Sequence, residues 1–338
     1  GTDFTGSILI GHNTTGTLSS AEQNVGVGIG ALDAITQGDK NVAVGYNAGT
    51  AITTGSRNVL LGSLAGDALT TGERNVALGH FALSTEDAHG RNVAVGYTAL
   101  GNQDAGTDAY NVAVGYNAGT LVTTGAENTL IGGLAGDALT TGDRNTALGY
   151  NALSSEDTGG RNVAIGRGSL ALLNYNGNGY NTAVGYASGG AMTTGVQNTI
   201  IGGLAGDALT TGSNNVAIGY QALSSEDAGS KNTAIGNSAL KDLNTTDGNG
   251  CNVAVGYEAG KSVTTGIDNT IIGCLAGDDL TTGSRNVAMG RSALGAEDTG
   301  GRNVAVGYRT LAAQDAGDDG YNVAIGYEAG ATITTATH

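Results

Sequence analysis

The chain contains no proline and no tryptophan, and only two phenylalanines, two cysteines and four histidines among 338 residues. Each shortage closes a route. Without proline, and with 61 glycines that follow no three-residue period, a collagen helix is excluded. Cys251 and Cys274 stand where sister segments carry Tyr110, Tyr180 and Tyr321, or Ser63, Gly133 and Gly203, so they read as drift at tolerant positions rather than as a disulfide or metal pair. Cations are scarce as well: 14 Lys and Arg face 30 Asp and Glu, a net charge of -16 that leaves no basic face for a nucleic-acid partner. No apolar run approaches the roughly 18 to 20 residues of a membrane helix, so no membrane insertion is expected. The opening Gly1-Thr2-Asp3-Phe4 is neither a signal peptide nor an amphipathic anchor, and lacking an initiating Met it reads as processed or cut from a longer chain.

What the chain does have is repetition. Asn41-Val42-Ala43-Val44-Gly45 returns nineteen times, counted by its last residue from Gly11 to Gly326. Most copies are 17 residues apart, and every fourth step from Asn92 on is 19 or 20. The chain is therefore a single repeat array over 1–338. Leading coils occupy 1–40, four-coil cassettes occupy 41–110, 111–180, 181–251 and 252–321, and a partial last coil occupies 322–338. An internal repeat of this kind overrides the two or three domains that length alone suggests.

Within a coil, Asn-Val-Ala-Val-Gly predicts a strand of four or five residues ended by a glycine turn. Seventeen glycine-rich residues leave no room for a useful helix, and 17 is not a helical-repeat period. The predicted fold is all-β: a parallel β-solenoid (β-roll or β-helix) of about 19 coils, rising about 4.8 Å per coil, or about 90 Å in all. The structural positions are Asn41, Gly45, Asn111, Gly115, Asn181, Gly185, Asn252 and Gly256, with the asparagines stacked and hydrogen-bonded up and down the solenoid.

The four coils of a cassette differ in where they place an apolar filler. The first two carry glycine (Gly49, Gly66) followed three residues later by Ile52 or Leu69; the last two carry leucine at the glycine position (Leu83, Leu100). This predicts two alternative backbone paths that set the four-coil register. The first two coils end in Thr-Thr-Gly, and the third carries an acidic pair: Glu86-Asp87, Glu156-Asp157, Glu226-Asp227 and Glu297-Asp298. These pairs read as solvated charge, because successive pairs lie four coils apart, about 19 Å, too far to share an ion. The extra residues fall in the fourth coil, as in Ala105–Tyr110 and Asn244–Gly250, and mark a surface bulge.

The strand is apolar at its second, third and fourth positions, which predicts burial on both faces. One face packs into the coil and the other, assigned to the third position, packs against identical chains, most simply as a homotrimer. Tyrosines follow the strand glycine at Tyr46, Tyr97, Tyr116, Tyr186, Tyr257 and Tyr327, among others. They are the candidate binding row, able to stack on a cell-surface glycan or receptor, or else to cover the strand edge or the chain interface. His12 and His80 take the same row, His89 and His338 lie elsewhere, and no nucleophile or carboxylate recurs beside them, so no catalytic residue, cofactor or metal is expected.

Val216-Ala217-Ile218-Gly219-Tyr220-Gln221-Ala222 and its sister Val42-Ala43-Val44-Gly45-Tyr46-Asn47-Ala48 resemble the head repeats of trimeric autotransporter adhesins. They are similar also to shaft repeats of tailed-bacteriophage fibres, where Asn replaces the adhesins' Ser. The resemblance implies a trimeric, left-handed parallel β-roll with an attachment or spacer role, on a virion or at a cell surface. The coils are longer than the adhesin repeat and no heptad stalk or C-terminal membrane strands follow, which favours a fibre shaft over a bacterial adhesin head. A monomeric ice-binding or extracellular matrix solenoid is the alternative of another class, suggested by the threonine rows. On this reading, a charge at Ala43 or Ala113 weakens chain assembly far more than one at Thr53, as light scattering would register.

Overall fold

A computed structural model describes residues 6–11, 20–245 and 248–335. Over these residues the fold is an all-β parallel solenoid with nineteen strands, each in a copy of the repeat and each three residues long, shorter than the sequence suggests. Contacts group the chain into two units: Gly1–Arg167 with Asn174–Asn178, and Gly168–Leu173 with Gly179–His338. The first holds β1 (Ile8–Ile10) to β10 (Val163–Ile165), and the second holds β11 (Thr182–Val184) to β19 (Val323–Ile325). No described helix is long and apolar enough to cross a membrane.

Strands stack in parallel with unshifted register, Val42 beside Val59 and Val59 beside Val76 in the first unit, Thr199 beside Val216 in the second. The rest of the coil is turns, yet its backbone is also hydrogen-bonded from coil to coil, as in Thr53 N–H to the Thr70 carbonyl (2.9 Å) and Asn47 N–H to the Ile29 carbonyl (2.9 Å). Buried backbone groups thus find partners without a second strand, which is why only three residues per coil need be extended.

At the head of each regular coil sits a buried asparagine. In the first unit the Asn58 backbone N–H donates to Asn41 Oδ1 (3.0 Å), and Asn58 Nδ2 donates to the Gly72 carbonyl (2.8 Å) at the end of its own coil. Across the long coil the Asn111 N–H reaches Asn92 Oδ1 (3.1 Å), and Asn111 Nδ2 closes its own regular coil on the Gly125 carbonyl (2.7 Å). In the second unit Asn181 Nδ2 reaches the Gly195 carbonyl, and Asn252 joins Asn232 Oδ1 and the Gly266 carbonyl.

The strand's third position points into the coil, not at a neighbouring chain. Ala43 and Ala113, like Leu60, Leu130 and Ile271, are fully buried within the single chain, while the second and fourth positions are half-buried or exposed. This corrects the expected interface: side chains of a strand alternate, the interior claims the third, and the outer face belongs to the second and fourth. A charge at Ala43 or Ala113 therefore breaks the coil's own core.

The cassette register has a different cause from the expected pair of backbone paths. The glycine position and its leucine counterpart adopt the same left-handed conformation, with φ 57° at Gly49 and 51° at Leu83. What changes is side-chain volume. A Cβ on Gly49 would lie 2.6 Å from Leu60 Cδ1, and one on Gly66 would lie 2.8 Å from Leu60 Cδ2. The large third-position residue of the second coil fills the room that two glycines leave; Leu130 does the same beside Gly119 and Gly136, and Ile271 beside Gly260 and Gly277. In the third and fourth coils the third position shrinks to alanine, and Leu83 and Leu100 turn inward, both fully buried.

Placing leucine at position 119 should overpack the coil against Leu130 and cost about 1–3 kcal/mol in chemical denaturation. Adding Leu130→Ala, which copies the Leu153 and Ala164 arrangement two coils on, should recover part of that loss. If the double variant is less stable than the single one, volume exchange does not set the register.

Candidate interaction face

The outer face of the strands carries the candidate site. Valine or threonine at the second position and valine, isoleucine, leucine or methionine at the fourth line it, and Leu61, Leu148, Ile201 and Met289 are its most open members inside the cassettes. No polar residue larger than threonine interrupts these two rows in the cassettes. Next comes the strand glycine, at φ 141° in Gly45, where a Cβ would sit 2.4 Å from the Gly62 carbonyl oxygen. Gly115, Gly185 and Gly256 make the same approach to the next coil, so the backbones touch where any side chain would hold them apart. The turn then throws the following residue outward.

That residue is the tyrosine of the candidate row. Tyr46, Tyr97, Tyr116, Tyr186, Tyr257 and Tyr327 all lie on the surface, with exposures between 48% and 75%. In the first unit the rings stack on each other along the coils: His80 on Tyr97 (centroids 5.5 Å apart, 8° between planes) and Tyr97 on Tyr116 (5.5 Å, 12°). Tyr308 and Tyr327 do the same in the second unit at 5.3 Å. A ring stacked on both sides, as Tyr97 is, offers solvent its edge and hydroxyl rather than the open face a sugar stacks on. The row therefore extends the apolar stripe beside it.

A second surface row was not legible as one. The residue before each asparagine is left-handed whatever its identity, with φ 63° at Arg57, 60° at Glu127 and 55° at Tyr110. Asn47 and Asn117, just past the tyrosines, share that conformation and hint at it, since asparagine tolerates it best after glycine. The row before the asparagine is charged: Arg144 Nε meets Glu127 at 2.8 Å, and Arg74 meets Glu73 at 3.1 Å. Arg91 lies over the Tyr110 ring and donates to its hydroxyl (2.9 Å), and Arg302 treats Tyr321 likewise (2.8 Å). Cys251 takes the same place, and both it and Cys274 are free and exposed. These pairs sit in water and each contributes about 0–1 kcal/mol.

The acidic pair is not solvated as a pair. Glu86, Glu156, Glu226 and Glu297 are fully buried, and only their aspartate neighbours reach the surface. Counted from the leucine, the glutamate occupies the interior position that Ile52 and Leu69 fill in the first two coils. It works as a clip. Glu156 Oε1 accepts the Gly159 N–H (2.7 Å) and Oε2 the Tyr175 N–H (3.2 Å) in the longer fourth coil. Glu226 holds Gly229 and Thr245, and Glu297 holds Gly300, in the same way. The bulge beyond is at the surface, with Gly106 and Thr107 exposed; Thr246 and Asp247 lie outside the described residues, as do His12 and His338.

Threonine hydroxyls are committed too. Thr53 Oγ1 donates to the Thr70 carbonyl (3.3 Å), Thr70 Oγ1 to the Asp87 carbonyl (3.0 Å), and Thr264 and Thr281 repeat the pattern in the second unit. Among the described residues no pocket opens, so the coil faces are the surfaces to weigh. Comparison with family models, with curated proteins and with solved structures gives no match.

Burial pushes the carboxyls of Glu156 and Glu297 above the ordinary 4.5, against the pull of the backbone N–H groups they accept. Burial likewise raises Asp67, Asp137, Asp207 and Asp278. A carboxyl with a raised folded pKa holds its proton more tightly folded than unfolded, so its contribution is fully present below the unfolded value and lost as pH climbs through the folded one. The thermal midpoint should rise, not fall, as pH drops from 8 toward 5. Glu156→Gln should flatten part of that slope and lose the Tyr175 bond at a cost of about 1–3 kcal/mol. A midpoint that peaks above pH 7 would contradict the burial of these groups.

Proposed function

We propose that the chain is a non-enzymatic shaft segment of an attachment fibre, assembled from three copies that meet along the outer strand face. The observation that carries this is the outer strand face, apolar throughout the cassettes at the fourth position and valine or threonine at the second, left half-covered in one chain. Water on so long a run of valine, isoleucine and leucine is unfavourable, and a stripe beyond a few hundred Å² marks an interaction surface. Every coil offers the same residues, so a second copy of the chain in register matches it coil for coil, and a closed cyclic arrangement leaves no stripe uncovered.

The resemblance of the Val-Ala-Ile-Gly-Tyr segments to fibre and adhesin repeats supports the same reading, and a tailed-phage fibre is the form it favours, with a bacterial surface adhesin head as the alternative. Both place the protein on a virion or at a cell surface, and a glycan or protein receptor would then meet the rows that point away from the chain interface. The inner threonine hydroxyls donate to backbone carbonyls, so an ice-binding face would rest on the exposed outer threonines such as Thr54, Thr124 and Thr194, which occupy two coils in four.

Light scattering on the purified chain should give three times the 33.2 kDa of one copy. Lysine in place of both Leu148 and Ile201 should release monomers that keep the parent's far-ultraviolet dichroism, since both side chains point outward. A parent protein of monomer mass, or a double variant that still assembles as the parent does, would overturn the assembly.

A further inference from the structure

We propose that Glu86, Asp87 and His89 form a binding site for a first-row divalent transition metal of the zinc class. One ligand atom from each of the three lies within 4.8 Å of the other two. The buried end of this site is only half committed. Glu86 is fully buried; its Oε1 accepts the His89 N–H (3.0 Å), while Oε2, also out of reach of water, has no hydrogen-bond partner. His89 Nδ1 is likewise shielded from water without a hydrogen bond, 3.6 Å from Glu86 Oε1.

The other cassettes supply an internal comparison. Where His89 stands, the three sister coils carry Gly159, Gly229 and Gly300. In each of those coils both glutamate oxygens are engaged, the second by Tyr175 (3.2 Å), Thr245 (3.1 Å) or Ala316 (3.5 Å) N–H. The Ala105 amide takes that place in the first cassette and pulls on the Glu86 charge, but it closes no hydrogen bond on Oε2. So the one coil that gains an imidazole is also the one whose carboxylate keeps an oxygen without a hydrogen bond, and the unbonded ring nitrogen lies 3.6 Å from that carboxylate. A buried oxygen and a buried ring nitrogen without donors cost free energy unless a cation fills the space between them.

The donor set narrows the cation. An imidazole nitrogen with two carboxylate oxygens suits zinc and its neighbours, whereas calcium and magnesium take oxygen ligands. Asp87 is exposed and His89 partly so, which leaves an entry side and room for water as the remaining ligand. The site lies within one coil, so it does not depend on how chains assemble.

The test is isothermal titration of the full chain with zinc chloride at pH 7.5, in a Cys251→Ser, Cys274→Ser background so that the exposed thiols take no metal. One saturable equivalent per chain is expected. His89→Gly, which installs the sister residue and so keeps the fold, should weaken binding at least tenfold, and Asp87→Asn, at the surface, should weaken it severalfold. Thermal unfolding of both variants checks that they remain folded. No saturable uptake, or the same uptake by parent and His89→Gly, would overturn the site; the first outcome would leave His89 as a simple ion-pair partner of Glu86.

Discussion

Each coil of regular length is closed by one side chain, whereas in the long coils the Asn92, Asn232 and Asn303 amides lack that carbonyl partner. The asparagine ahead of the strand donates its amide protons to a carbonyl at the end of its own coil and accepts the backbone N–H of the next asparagine on its oxygen, so the same group fixes the circumference of a coil and its register on its neighbour. Apolar burial alone would not do this, because alanine and valine slide over one another with little penalty, whereas a buried amide that misses its partner loses about 1–3 kcal/mol per group. With circumference and register fixed, glycine contact between coils, the inward third position and the outward tyrosines follow as consequences of where the chain must be. The long fourth coil is accommodated because its extra residues leave the asparagine positions in place and spend the added length on the surface.

Much of the fold was legible because a repeat shows each position many times. The strand recurrence located all nineteen strands, and the swap of Ile52 for Leu83 correctly showed one filler per coil. Misreadings came where chemistry was judged by residue type instead of coil position. The distance between acidic pairs says nothing of their burial, whereas counting from Leu83 puts Glu86 in the row of Ile52, and a row is either inside or outside in a solenoid. The interface was placed at Ala43 because three consecutive apolar residues hide the alternation of a strand; only the structure shows which parity faces in. The left-handed residues before each asparagine were invisible, since arginine, glutamate and tyrosine carry no local signal for that conformation.

Of the candidate site, the tyrosine row was found in the sequence, but its character was not. Spacing shows that the rings recur; it does not show that Tyr97 lies sandwiched between His80 and Tyr116, which turns a set of separate platforms into a continuous flank. The outer rows at the second and fourth strand positions were recognised as apolar but assigned inward. Charge on this molecule has two settings that composition cannot separate: arginine and glutamate ladders in water, and glutamates inside the coils that hold backbone N–H groups.

The exchange of volume between Leu60 and its flanking glycines also bears on how such a chain can lengthen or shorten. A unit of about 70 residues carries a complete cycle of small and large interior residues, so duplicating or deleting one by recombination joins surfaces that already fit. Losing the first or second coil alone would instead seat an inward leucine beside Leu60, or a glycine beside alanine, leaving a clash or a void. On packing grounds the module that can be gained or lost without a clash or a void is therefore the whole cassette.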